Sequence, residues 1–300
     1  MASPSIAAVL LLTAPTGCNP SPSDTAPSAA EPPIDLAAGG RHTCFLGTSG
    51  VAVCWGDGEI GQHVPGDTQV LDIAASYAFS CAIQQSGTVD CWGYEPADYI
   101  PHPDGEFVSV GVGSSHHACA IDANGEVACW GVDYRGETQP PANDGYTDVS
   151  GGGSYTCALD SERRIECWGE LDWGETDVPD GVYTDLDAGG QAACAVAEAG
   201  QLECWGRNRS GETDPPDGDF VQVSCGEYFA CALDSTGAIH CWGDGEQGQL
   251  DTPAGTYQRV EAANSGAHAC AVDLDEKVEC WGNNPFGQAD PPEELRRGAP

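Results

Sequence analysis

The sequence predicts an all-β chain, a seven-bladed β-propeller of short three- to four-stranded blades. Three observations carry that expectation. Cys-Trp-Gly occurs seven times, with Trp at 55, 92, 130, 168, 205, 242 and 281, so the interval stays between 37 and 39 residues. A second Cys stands ten residues before the Cys of every one of these tripeptides. No stretch shows apolar residues at helical spacing. A period of this size marks units that bury their faces only against copies of themselves.

The chain opens on a leader. Ile6 to Ala14 is an apolar run of about nine residues, which fits the core of an export signal and is too short to span a bilayer. Pro15-Thr-Gly-Cys18 follows it. Small residues before a single Cys resemble a bacterial lipoprotein signal, so residues 1–18 are expected to direct export and Cys18 to carry a lipid. Residues 19–33 contain five Pro and no aromatic. They form an expected tether that could reach roughly 45 Å at about 3.1 Å per residue. Residues 34–300 hold the seven repeats. Sixteen cysteines suit an oxidising compartment, either the bacterial envelope, with the chain as a lipoprotein, or the medium.

Each repeat then contains a hairpin. In Cys231-Ala-Leu-Asp-Ser-Thr-Gly-Ala-Ile-His-Cys241, opposing the two cysteines leaves Ser235-Thr-Gly237 as a three-residue loop. Such a loop wants a left-handed third residue, usually Gly. Gly50, Gly87, Gly125, Gly200 and Gly237 fill that place; Arg163 and Glu276 stand there in the other two repeats. Counting outward from the loop puts each Cys pair at a non-hydrogen-bonded position, where Cα atoms lie about 4.5 Å apart and a disulfide fits. The expected bridges are Cys44–Cys54, Cys81–Cys91, Cys119–Cys129, Cys157–Cys167, Cys194–Cys204, Cys231–Cys241 and Cys270–Cys280. The alternative is a metal at each pair. It lacks both the short Cys spacing and an accompanying His at fixed distance, and no metal is expected.

Before each hairpin lies a short apolar strand, for example Phe107-Val-Ser-Val110 or Phe220-Val-Gln-Val223. After each Cys-Trp-Gly comes a loop that ends in Gly-Gln or Gly-Glu. Three short strands cannot bury both faces alone, whereas seven such units around an axis can. The motif small-Gly-x-x-His-x-Cys-Ala-Leu, continuing through Gly-x-Val-x-Cys-Trp-Gly-x4-Gly-Gln, resembles the regulator-of-chromosome-condensation repeat family. The first repeat shows it from Gly39-Gly-Arg-His42 to Gly61-Gln62. The resemblance covers about residues 34–291. The repeat is shorter than in the family's eukaryotic members and similar in length to the bacterial seven-bladed members of the β-lactamase inhibitor protein II type. It implies a seven-bladed propeller.

Composition narrows the function. Lys plus Arg number 10 against 47 Asp plus Glu, a net charge of −37. Such a polyanion repels phosphate backbones, so no nucleic acid is expected as partner. The acidity suits a basic partner or solubility in salt; its even spread over the repeats favours the second. Elements repeated at every period are scaffold first, and the Trp of Cys-Trp-Gly is expected to pack between blades. His42, His117 and His268 share a place that other repeats fill with Phe79, Tyr155, Ala192 and Phe229. Interchange with Phe and Ala is not how a catalytic His behaves. The chain has no Gly-x-Ser-x-Gly, no phosphate-cradling loop and no His-Glu-x-x-His, so neither an enzyme nor a cofactor is expected. The DPPDGD run from Asp214 to Asp219 reads as an acidic turn, since it lacks the spacing of a calcium loop. Cys225 replaces a small residue of the motif and reads as a small buried thiol.

Specificity should lie where the repeats differ. The four residues after Cys-Trp-Gly differ most, and at one register they must emerge on one face. They carry Tyr94, Tyr134, Trp173, Arg207, Arg209 and Phe286. Aromatic and Arg side chains on a rigid rim are common anchors of protein interfaces. The chain is therefore read as an exported, monomeric, non-catalytic propeller. It would bind a protein partner through this rim, with enzyme inhibition as one expected form of that binding, and touch a membrane only through a lipid on Cys18. The alternatives are a carbohydrate binder or hydrolase that uses the acidic and aromatic rim, and guanine-nucleotide exchange. Export and the absence of a long inserted wedge count against exchange.

Overall fold

A computed structural model describes residues 34–58, 69–77, 79–93, 102–143, 145–170 and 172–296. The leader and tether, Cys18 and Tyr94 lie outside the described residues. Seven antiparallel sheets of three consecutive strands follow one another along the chain. Blade one consists of Asp35–Ala38, His42–Leu46 and Ala52–Gly56. The inner strands of the next six blades are Val70–Ala75, Phe107–Gly113, Tyr146–Gly151, Tyr183–Ala188, Phe220–Cys225 and Tyr257–Ala262. Every blade has three strands, the lower of the two expected numbers.

The middle and outer strands pair as the hairpin reading requires. Each Cys opposes its partner directly, as in Cys44↔Cys54 and Cys231↔Cys241. All seven expected disulfides are present, with Cα atoms 4.0 to 4.1 Å apart. Gly237 closes its hairpin at φ +82°, and Arg163 and Glu276 adopt the same left-handed turn at +63° and +58°. The tripeptide Cys-Trp-Gly also has a backbone reason. Gly56 sits at φ +115°, and a Cβ there would lie 2.6 Å from the Arg41 carbonyl oxygen. Gly131 is held alike at +107°, 2.5 Å from the carbonyl oxygen of His116.

The core lies between blades, where the repeats meet. Seven apolar clusters fill the seven joints. Cys44, Leu46, Val70, Ile73 and Trp92 belong to the joint of blades one and two. Leu36, Phe45 and Trp55 meet Cys270, Val272 and Val278 at the joint of blades seven and one. The ring therefore closes by packing: among the described residues no strand of blade one joins the last sheet. The chain after the seventh Trp contributes one isolated bridge, Val278 to Arg296. The Trp of all seven Cys-Trp-Gly tripeptides is buried, as expected of residues wedged between blades.

Candidate functional site

Two sets of loops share one end of the propeller. The turns joining inner to middle strands bond to the loops that leave the outer strands. Glu170 N–H donates to Ser154 O at 2.8 Å, Arg207 N–H to Gln191 O at 2.8 Å and Asp244 N–H to Tyr228 O at 2.9 Å. The antiparallel order puts the hairpin loops at the opposite end. The loops after Cys-Trp-Gly thus emerge together.

A buried acid or amide anchors each of the five such loops among the described residues, those after blades three to seven. The Tyr134 and Arg135 N–H groups donate to the two carboxylate oxygens of Glu137 at 3.0 and 2.6 Å. Glu175 takes the N–H of Trp173, Glu212 those of Arg209 and Ser210, and Gln288 that of Phe286. The backbone carbonyl of the same anchor accepts the indole N–H of the next blade's Trp. Trp168 donates to Glu137 O at 2.9 Å, Trp205 to Glu175 O at 2.9 Å and Trp55 to Gln288 O at 2.8 Å. One residue therefore holds the loop with its side chain and the blade joint with its backbone, which explains the Gly-Glu and Gly-Gln of the motif.

On this frame stand the rim side chains. Tyr134 is 76% exposed, Trp173 53% and Phe286 41%. The Arg207 guanidinium lies 4.6 Å from the Trp173 ring centre, and Arg41 stacks 4.2 Å over Phe286. Both contacts cross a blade joint. Arg207 also bonds to Gln191, and Arg41 pairs with Asp57. Arg209 is exposed. Arg135 reaches Asp172 at 3.2 Å and Glu170 at 3.5 Å, so it belongs with the rim although only its neighbour Tyr134 was singled out from sequence.

At the axis of the same end is a cavity of about 300 Å³. Its walls come from the turns of six blades, with Tyr77, Tyr228, Glu227 and Ser265 among them. A second cavity of about 280 Å³ lies along the axis between the inner strands. Asp35, Asp72, Ser109, Asp148, Asp185, Gln222 and Arg259 line it, one from each blade, with Asp187 and Glu261 two residues further along. These side chains stitch adjacent blades. Asp72 accepts Val110 N–H at 2.8 Å, Asp185 accepts Val223 N–H at 2.7 Å and Gln222 accepts Val260 N–H at 2.9 Å. Arg259 pairs with Asp35 at 2.6 Å across the closing joint. Burial raises the Asp148 carboxyl to about 6 and that of Asp185 to about 7. It raises Asp72 as well, which also faces Asp35. Asp35, Glu261, Asp185 and Asp72 outweigh burial at Arg259 and keep it charged. Among the described residues no three His, Cys, Asp or Glu are grouped to hold a metal ion.

The three motif histidines are structural. His42 Nε2 lies 2.6 Å from Ser80 Oγ, His117 Nε2 3.0 Å from Thr156 Oγ1 and His268 Nε2 2.9 Å from Thr43 Oγ1. Each partner belongs to the next blade. Where the motif has Phe79, Tyr155, Ala192 or Phe229, the corresponding residue of the next blade is Ala118, Ala193, Ala230 or Ala269. His is thus matched by a hydroxyl and an apolar residue by Ala. Cys225 is buried and unbridged, and its N–H donates to Asp187 at 2.7 Å.

The fold and these repeats define a class: a propeller assembled from similar disulfide-stapled units whose variable loops share one end. The profile of the regulator of chromosome condensation (RCC1) repeat matches residues 34–62 and 220–249. The chain carries repeats of that family. No curated protein sequence matches it. Among solved structures it is similar to the CRINKLY WD40 ectodomain of the Arabidopsis thaliana receptor kinase ACR4, with 22% identity and a TM-score of 0.69, covering 83% of this chain and 97% of that one. The ectodomain of the Physcomitrella patens receptor kinase CR4 gives 20% and 0.68, with 85% and 76% covered. Saccharomyces cerevisiae Prp20p, whose structure was described with its binding to Gsp1p and histones, gives 14% and 0.51, with 85% and 73% covered. At these identities the likeness shows the fold.

Proposed function

We propose that this is an extracytoplasmic binding protein, non-catalytic and monomeric, that grips a protein partner with the rim described above. The single observation carrying this reading is the pair of cation–π contacts, Arg207 on Trp173 and Arg41 on Phe286. Each fixes an exposed aromatic ring with a cation from the adjacent blade. The ordering cost of those side chains is then met before binding, a condition for anchor residues. Seven disulfides support an oxidising compartment. Protein binding by a propeller of similar fold, Prp20p, supports the reading by analogy. Lipid tethering through Cys18, an additional anchor at Tyr94 and an enzyme as the partner are parts of the same proposal.

The test is capture from extracytoplasmic extract with the oxidised full chain, beside a Trp173→Ala, Tyr134→Ala, Arg207→Ala variant of equal thermal stability. A protein retained by the first bait and lost from the second supports the rim. Equal retention by both baits, or none by either, refutes it.

A further inference from the structure

The axial cavity on the rim face has a chemistry the rim alone does not explain. Among the described residues no Lys, Arg or His lines it, although four of the ten cationic residues, Arg41, Arg135, Arg207 and Arg209, stand on the surrounding loops. Its walls include Glu170, Glu175 and Glu227. Arg135 reaches Glu170 from outside. Burial pushes the Glu175 carboxyl upward, and Glu170 and Asp172 nearby add to this. Ser265 lines the same cavity, is only 9% exposed, and its buried Oγ has no hydrogen-bond partner. A buried hydroxyl without a partner costs free energy unless something occupies the space it faces. Tyr77 of blade two and Tyr228 of blade six stand, by blade order, across the axis from one another.

We propose that this cavity receives a lysine side chain of the protein that docks on the rim. The inference rests on the rim reading above and names the chemistry of its partner. A volume of about 300 Å³ is at the lower limit for ligand pockets, so it takes one side chain. An ammonium carries three donors that reach separate acceptors, here Glu227, Ser265 and a Tyr hydroxyl, while the apolar stem lies between aromatic rings. A desolvated charge at the centre, ringed by Tyr134, Trp173 and Phe286, is the layout of an interface hot spot. The net charge of −37 draws basic surfaces to this protein from a distance.

The experiment is NMR of the full chain with labelled Tyr, at fixed ionic strength near 0.15 M. The probes are Ac-Gly-Gly-Lys-Gly-Gly-NH2 and its norleucine counterpart. The expected result is a saturable shift of Tyr77 and Tyr228 with the lysine peptide, at least tenfold weaker with norleucine. Glu227→Gln should weaken it at least tenfold. Glu175→Gln should weaken it about two- to threefold, because that carboxylate acts through its field. Gln249 and Gln288 occupy the same place in other blades, so Gln at 175 is compatible with the fold. Asp217→Asn with Asp219→Asn removes twice the charge of either single variant, away from the cavity, and should change nothing. Equal binding of both peptides, or equal weakening by the Asp217/Asp219 variant, overturns the socket. The capture experiment separates the two claims. A partner lost with the rim variant but retained by Glu227→Gln leaves the rim standing and refutes the socket.

Discussion

His268 Nε2 lies 2.9 Å from Oγ1 of Thr43, a residue 225 positions earlier. Thr43 Oγ1 donates its one proton to Gln288 O at 2.9 Å, so the histidine must be the donor in their bond. Burial lowers His268 to about 3, so the ring is neutral and carries its proton on Nε2. This chain of bonds ties the last blade to the first without any exchanged strand. Thr156 makes the same pair of bonds to His117 and Glu137 inside the ring. Thr43→Val and Thr156→Val should therefore each cost about 1–3 kcal/mol in urea denaturation, the range for orphaned buried polar groups. Only Thr43→Val should also speed proteolysis within residues 34–46, because only that joint is not bridged by chain. Equal protease sensitivity of the two variants would refute closure at this contact.

Fourteen cysteines are bridged and Cys225 is not. Burial, and next the charge of Asp187, push the Cys225 thiol well above its ordinary value, so it is a poor nucleophile as well as inaccessible. Alkylation of the native chain should leave Cys225 unlabelled by intact mass. Denaturation without reductant should expose this thiol, and reduction should then expose fourteen more. More than two free thiols before reduction, counting Cys18, would break the seven-bridge assignment.

The blade was legible in the sequence because its causes are local. Hairpin length, the left-handed third residue and the Cys register are all set within a dozen residues. The rim was legible as one face because equal register implies equal placement. The His–hydroxyl match also stands in the sequence, His42 with Ser80 and His117 with Thr156, but it is not local. It becomes visible only when residues one repeat apart are compared in offset register. The axial residues show the same limit. Asp35, Asp72, Asp148 and Asp185 recur at the repeat period, but the period does not say that their side chains face one shared channel. Tyr77, Glu227 and Ser265 differ from blade to blade, so no repeat pattern marks them. Only ring closure brings them to one cavity.

Arg163 and Glu276 test how much the hairpin turn itself contributes. Both stand at positive φ where the other five repeats have Gly. A non-glycine residue there costs about 1–2 kcal/mol, partly offset by the lower entropy of its unfolded chain. Arg163 also pairs with exposed Glu198 at 2.5 Å, and Glu276 accepts the Thr48 hydroxyl at 2.7 Å. Surface contacts of this kind contribute less than about 1 kcal/mol. Arg163→Gly and Glu276→Gly should each raise stability by about 0.5 kcal/mol or more, read as a higher urea midpoint. Gly237→Ala should do the reverse by more than about 1 kcal/mol. Its Cβ would lie 2.7 Å from Thr256 Cγ2 and 2.8 Å from the Tyr257 carbonyl oxygen. Destabilisation by glycine at both positions would show that the side-chain contacts outweigh the backbone strain.

Two opposed contributions to stability should share the range between about pH 4 and 7, each with its own residues behind it. Burial lowers His42 and His117 to about 4 and His268 to about 3. Their folded values lie below the ordinary 6.5, so the folded state holds fewer protons, and their contribution is present above pH 6.5 and lost as pH falls toward 4. The channel carboxyls act in the opposite sense. Asp148 and Asp185 rise from 3.8 to about 6 and about 7, so the folded state holds more protons and stability falls as pH climbs from about 4 to about 7. Arg259 keeps 36% of its side chain exposed, so water reaches the channel and screens its charges. The effect is then of order 1 kcal/mol per carboxyl. Asp185→Asn should flatten the limb between pH 4 and 7, because Gln222 shows that an amide oxygen can take the next blade's N–H at this position. His117→Phe should remove part of the rise of stability with pH between about 4 and 6.5, while Thr156 still donates to Glu137 O. Thermal unfolding of both variants from pH 4 to 8 reads the two limbs, and an unchanged profile in either would refute its assignment.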